Sequence, residues 1–194
     1  MGYVNQILYV WENARPHNVE AGANWYSTAR QYAEKVAAIA ECSLPCAVSV
    51  LSALSPRNRW ERNVQDAYTV AAAFRAGGPY NIKSGTFNSN VEKAFKVLFT
   101  GNPQLPGEKV QAFADNILDP YSLRVTIDVW AVRVANLAPD LNVARFDYPT
   151  YEAAYVKAAE RVGILPKHLQ ATTWLEMRGR VAQRVPMGQL ALFN

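Results

Sequence analysis

Apolar residues in this chain recur at intervals of three and four, and no window of four to eight residues pairs strict alternation with β-branched enrichment. Such spacing lays a stripe along one side of a helix, whereas a half-buried strand needs a period of two. Between 22 and 41 the stripe consists of Trp25, Ala29, Tyr32, Ala33, Val36, Ala37 and Ala40. The nearest approach to a strand, 123–129, is short enough to be the entry to a helix. The expected fold class is therefore all-α.

Proline and glycine divide the helical pattern. Pro45 suits the first turn of a helix over CAVSVLSAL, a nearly all-apolar stretch that should be buried. Ser55-Pro56 ends it, because a proline pushes the preceding residue out of helical angles. A helix over 59–76 stops at Gly77-Gly78-Pro79, and 80–88 read as a loop. Asn88, Ser89 or Asn90 can cap a helix running to Phe99. A turn with Gly101, Pro103 and Pro106 follows, and further helices are expected over 108–118, 128–137, 150–162 and 166–177. The tail from 185 to 194 shows no periodicity.

With 194 residues, half of them hydrophobic and 19% charged, the chain can bury a proper core. It is expected to form a single all-α unit over 1–194, with 1–50 and 140–194 making a second helical lobe. No apolar run approaches the roughly 20 residues of a membrane span. The opening MGYVNQILYVWENARP has no basic n-region and no small-residue cleavage site. The expectation is a soluble, cytoplasmic monomer that does not engage membranes.

Charge is modest. The net +4 divides into three basic and four acidic groups over 1–50, and seventeen basic and twelve acidic groups over 51–194. A mild basic bias suits a nucleic-acid face without requiring one. Cys42 and Cys46 lie four apart, and the only histidines are His17 and His168. Metal sites need three or four ligands and iron–sulfur clusters four cysteines, so neither a metal nor another cofactor is expected.

Four local patterns follow one another. The first is Ala53-Leu54-Ser55-Pro56-Arg57-Asn58 with Asn63 and Ala67. The second is Ile82-x-x-Gly85-x-Phe87 with Lys93-Ala94. The third is Leu105-Pro106-Gly107-Glu108-Lys109. The fourth is Val125-Thr126-Ile127-Asp128-Val129-Trp130 with Arg133-Val134. Together, over 50–137, they resemble the helix-hairpin-helix (HhH-GPD) DNA glycosylase superfamily of endonuclease III and the adenine-mismatch glycosylases. The chain departs from that pattern in its hairpin, which has one glycine where the family has two. Asp128-Val129-Trp130 stands where the family has aspartate, threonine, then histidine or asparagine.

The resemblance implies a two-lobed helical fold with a helix-hairpin-helix at 88–118, acting on a damaged or modified base in double-stranded DNA of a bacterial or phage-infected cell. It implies that Lys109 and Asp128 are catalytic, and that Arg57, Asn58, Arg59, Leu105, Gly107 and Glu108 contact DNA. Elementary chemistry agrees with these roles. A glycine turn feeding a helix offers unpaired backbone N–H groups to a phosphate. A carboxylate at Asp128 would stabilise positive charge developing on a sugar, and a desolvated Lys109 would attack the sugar carbon as a free amine.

Gln170, Trp174 and Arg178 are four apart on one helical face, where an amide, an indole and a guanidinium can line a base pocket. Trp25 and Tyr26 are further pocket candidates, or core aromatics. Simpler readings stand beside these. Asp128 can be a helix cap, Lys109 a solvated lysine, and Arg57, Arg59 and Arg62 an exposed helix start paired with Glu61 and Asp66. Three functions remain open: excision of a base, with a lysine-mediated lyase step; a phage-type transferase that hypermodifies activated hydroxymethyluracil in DNA; and a DNA-binding module without catalysis.

Overall fold

Helix ends in this chain follow local chemistry. The computed structural model describes residues 2–184, and among them all regular structure is helical: α1 (Tyr3–Glu12), α2 (Pro16–Ala40), α3 (Leu44–Leu54), α4 (Trp60–Arg75), α5 (Asn88–Thr100), α6 (Glu108–Leu118), α7 (Val129–Ala135), α8 (Tyr148–Val162) and α9 (Pro166–Arg184). No strand occurs among the described residues. The tail 185–194 lies outside them.

Ser43 caps α3 by accepting the Cys46 N–H at 3.4 Å, with proline in the first turn as expected. Both α5 and α8 end on glycines in left-handed conformation, Gly101 at φ 66° and Gly163 at φ 68°. Some bounds differ from the sequence expectation. α1 was not anticipated, because its N-cap, Gly2, carries no capping side chain. α2 starts at Pro16, so Gly22 sits inside it. α7 stops at Ala135, since Leu137 turns to φ 50°. α9 continues past 177 to Arg184.

The chain divides into two compact units, one running from Tyr26 to Pro120 and the other assembled from the residues up to Trp25 together with those from Tyr121 onward. The division thus falls at 25/26 and 120/121 instead of near 50 and 140. The physical reason is that α3 packs with α4, α5 and α6, which keeps residues 26–50 with the middle of the chain.

In the central unit α3 is the core element, buried at every position from Cys46 to Leu54. Each fully buried Leu or Val there contributes about 1.5–3 kcal/mol of transfer free energy. Aromatic contacts hold the second half of α2. Tyr26 lies 6.1 Å from Phe113, and Trp60 stands edge-on to Tyr32 at 6.0 Å and to Phe113 at 6.2 Å.

In the terminal unit α1 packs on α7, α8 and α9, and Tyr3 stacks on Tyr151 at 4.8 Å. The first part of α2 meets α9 at Gly22. A Cβ there would overlap the Thr172 hydroxyl and stand 2.6 Å from the Thr172 backbone nitrogen, so the close approach requires glycine.

Candidate functional site

Asp128 ends an extended segment whose backbone is held by α8. The Tyr148 hydroxyl donates to the Val125 carbonyl at 2.6 Å and accepts the Ile127 N–H at 3.1 Å. The Glu152 carboxylate accepts the Val125 N–H at 3.0 Å and Arg124 Nε at 2.9 Å. Val125 and Ile127 are fully buried, so the segment is anchored by packing as well as by hydrogen bonds. A side chain at its end has little freedom to wander.

Both Asp128 oxygens are engaged. Oδ1 accepts the Ala131 N–H at 2.9 Å, capping α7, and Oδ2 accepts the Trp174 indole N–H at 3.2 Å. Trp174 in turn lies 5.1 Å from Trp25, tilted by 56°, and carries the Arg178 guanidinium 4.3 Å above its ring. The terminal unit thus gathers Asp128, Trp25, Trp174 and Arg178 into one cluster. Gln170, one turn before Trp174, is buried. Tyr155 donates to the Ala131 carbonyl at 3.1 Å beneath the α7 start. Burial raises the Tyr155 phenol pKa far above its ordinary value and the Asp128 charge adds to this, against a hydrogen bond with Thr173 that lowers it. That phenol stays protonated.

The orientation of α9 depends on Glu176, which the sequence reading did not single out. Its carboxylate is 2% exposed and accepts the Arg15 N–H at 3.1 Å, Arg15 Nε at 3.2 Å, Asn18 Nδ2 at 2.8 Å and Arg180 Nε at 2.9 Å. Burial alone would raise its pKa, but the hydrogen bonds from Arg180, Asn18 and Arg15 outweigh it and hold the pKa at about 2. The anchor fixes the rotation of α9 and with it the face bearing Trp174 and Arg178. Arg15 and Asn18 lie more than 150 positions away, and the pair with Arg180, four positions on, looks in the sequence like an ordinary exposed helix-face pair, so nothing local marks Glu176 as a buried anchor.

The central unit holds the other expected residues. Residues 88–118 form α5, a turn over 101–107, and α6. Gly107 sits at φ 103°, ψ 128° as the α6 N-cap, no side chain caps the helix, and a Cβ there would meet nothing within 4 Å. The side of Gly107 where a side chain would project is therefore open, at the uncapped positive end of a helix dipole. Glu108 is exposed and Lys109 half-buried in the same first turn, while Leu105 packs inward at 9% exposure. Gln111 Nε2 donates to the Leu105 carbonyl at 3.1 Å and ties the turn to α6. Behind it a cleft of about 730 Å³ is lined by Pro103, Leu105, Val110, Gln111, Ala114 and Asp115 among others.

The loop between α3 and α4 belongs to this unit too. Arg57 adopts φ 55°, a left-handed conformation costly for a side-chain-bearing residue, and lies over the Phe87 ring at 5.6 Å. Buried Asp66 pins the surroundings. It accepts Asn58 Nδ2 at 3.0 Å, Arg62 Nε at 2.9 Å and the Gly85 N–H at 2.7 Å. Thr86 adds a hydrogen bond to the Pro56 carbonyl at 2.8 Å. The result is an exposed tip formed by Arg57 and Phe87, the latter 53% exposed, on a tightly bonded base, with Arg59 exposed at the α4 N-cap. Phe87 was read only as part of a turn, because its pairing with Arg57 spans thirty positions.

The expected residues therefore fall into two sets. Asp128, Trp25, Trp174, Arg178 and Gln170 lie in the terminal unit. Lys109, Leu105, Gly107, Glu108, Arg57, Asn58 and Arg59 lie in the central one. Tyr26 is 4% exposed against Phe113 and serves the core of the central unit. Among the described residues no group of three or more His, Cys, Asp or Glu is placed to hold a metal ion.

Fold and site define an all-α protein whose capped carboxylate sits within an aromatic and cationic cluster. The sequence matches the family of unknown function DUF7178 over residues 1–181, and the chain belongs to that family. Comparison with curated proteins and with solved structures gives no match.

Proposed function

We propose that this protein is a DNA glycosylase-like enzyme of the helix-hairpin-helix type, which binds double-stranded DNA, extrudes a damaged or modified base and cleaves its bond to the sugar. The observation that carries the reading is the Asp128 cluster. A carboxylate is held in place by a helix N-terminus and an indole N–H, beside two tryptophans and a stacked guanidinium. Aromatic faces take an unstacked base, and a fixed carboxylate stabilises the positive charge that develops on the sugar as the bond breaks.

The Gly107 turn supports the same reading. Open backbone at a helix N-terminus contacts phosphate without reading sequence. The Arg57–Phe87 tip suits insertion beside the base that leaves the stack. Lys109, in the first turn of α6, is the amine that would attack the anomeric sugar carbon as the base departs. The sugar's ring C–O bond then opens, its oxygen taking the proton that nitrogen loses, to leave the Schiff base of a lyase step.

The test is mass spectrometry after incubation with a panel of duplexes carrying modified bases. A free base released by the parent protein and not by Asp128→Asn supports excision. A heavier nucleoside retained in the DNA would replace excision by base modification, and no reaction on any duplex would reduce the protein to a binding module. Borohydride trapping examines the lysine separately. A covalent adduct lost in Lys109→Ala is expected, and an unaltered yield removes Lys109 from the chemistry.

A further inference from the structure

Two residues beyond Asp128, on the first turn of α7, stands a second pairing of tryptophan with arginine. The Arg133 guanidinium lies 4.6 Å from the Trp130 ring centre, and its Nε donates to the Leu141 carbonyl at 3.1 Å. Trp130 is only half-buried, so the core does not account for it. Val129, Leu137 and Leu141 continue the same stretch at 37%, 36% and 37% exposure. The terminal unit thus repeats one device: a guanidinium held over an indole, once on Trp174 and once on Trp130, with Asp128 bonded to the first and two positions from the second.

A tryptophan–arginine plate offers a flat π surface and a positive charge together. That combination suits a nucleotide, whose base stacks on the plate while its phosphate meets the cation. Stacking needs a free base face, and within a paired duplex both faces of each base are covered by the neighbouring pairs. We infer that Trp130 and Arg133 form a stacking platform for an unpaired nucleotide, which gives the protein a binding mode for single-stranded DNA next to the Asp128 site. The inference rests on the reading above in that the polymer is DNA. It adds that the strand around the reacting nucleotide is held unpaired by protein aromatics, so that substrates with mismatched or single-stranded neighbours are preferred.

The test measures fluorescence anisotropy of labelled oligothymidylate and of a labelled fully paired duplex, with parent protein, Trp130→Leu and Arg133→Lys. Leucine keeps apolar volume and lacks the ring; lysine keeps charge and lacks the planar cover. Helical circular dichroism and melting are recorded for all three. Base–aromatic stacking is worth roughly 1–3 kcal/mol, so Trp130→Leu is expected to weaken single-strand binding about tenfold while duplex affinity stays within about twofold. Arg133→Lys should weaken single-strand binding less but in the same direction. If folded variants bind oligothymidylate as the parent does, the platform is wrong and the reading of the Asp128 site survives. Should Trp130→Leu not fold, an Arg133→Lys variant with parental single-strand affinity overturns the platform by itself. A parent protein that binds neither strand form sinks the DNA reading itself.

Discussion

Asp128 uses one oxygen for the fold and the other for its neighbourhood, which lets two substitutions separate its roles. Asn keeps an acceptor for the Ala131 N–H, so α7 should start as before and melting should shift by no more than a few degrees. Base release should nonetheless fall by about 10²–10³, the usual cost of losing one electrostatic contact to a transition state. Ala removes the cap as well, and urea denaturation should show a loss of about 1 kcal/mol. Glu176 makes a prediction in pH. Its folded pKa, about 2, lies below that of an unfolded glutamate, so its contribution to stability is complete above the unfolded value near ~4.3 and is lost as pH falls toward 2. Glu176→Gln should lower stability by about 2 kcal/mol at neutral pH and flatten the acid limb of the pH–stability curve between those values, as denaturation series at several pH values would record.

Helices in this chain are set by their ends and by where they touch. Gly22→Ala should improve helix propensity and still destabilise the protein by about 1–3 kcal/mol, because the new methyl meets the Thr172 backbone nitrogen and cannot be relieved by trimming the Thr172 side chain. Thermal melts of Gly22→Ala alone and with Thr172→Ala check this; recovery in the double variant would contradict it. Much of the element order was legible beforehand, since Pro45, Ser55-Pro56, Gly77-Gly78-Pro79 and the stripe on α2 act locally. The stripe reads only from 22 onward, leaving the first turns from Pro16 unmarked, because glycine inside a helix makes sense only against the partner that needs its space. α1 offered no capping residue to mark it. The site divides in the same way. The face carrying Trp174 and Arg178 follows from spacing within one helix, and Asp128 is singled out by the motif order that the family resemblance rests on. The bonds that give them meaning, from Trp174 to Asp128 and from Arg15 and Asn18 to Glu176, join residues between 46 and 161 positions apart and leave no trace in any window.

At the scale of the whole molecule, the central unit is one continuous piece with its own buried core around α3. A fragment of residues 26–120 should therefore give helical circular dichroism and a cooperative urea transition by itself, and a gradual, featureless melt would show that it needs the rest of the chain. The terminal unit cannot be isolated so simply, since α1 finds its partners in α7, α8 and α9. Synthesis on the ribosome runs in one direction, so the segment around Ile7 and Val10 emerges well before α7, α8 and α9, the helices it packs against. Until α7, α8 and α9 have all been released, the nascent protein carries part of that apolar surface uncovered. Messages truncated before α9 should accordingly yield products that chaperones retain or proteases remove, even though the central unit is complete in them.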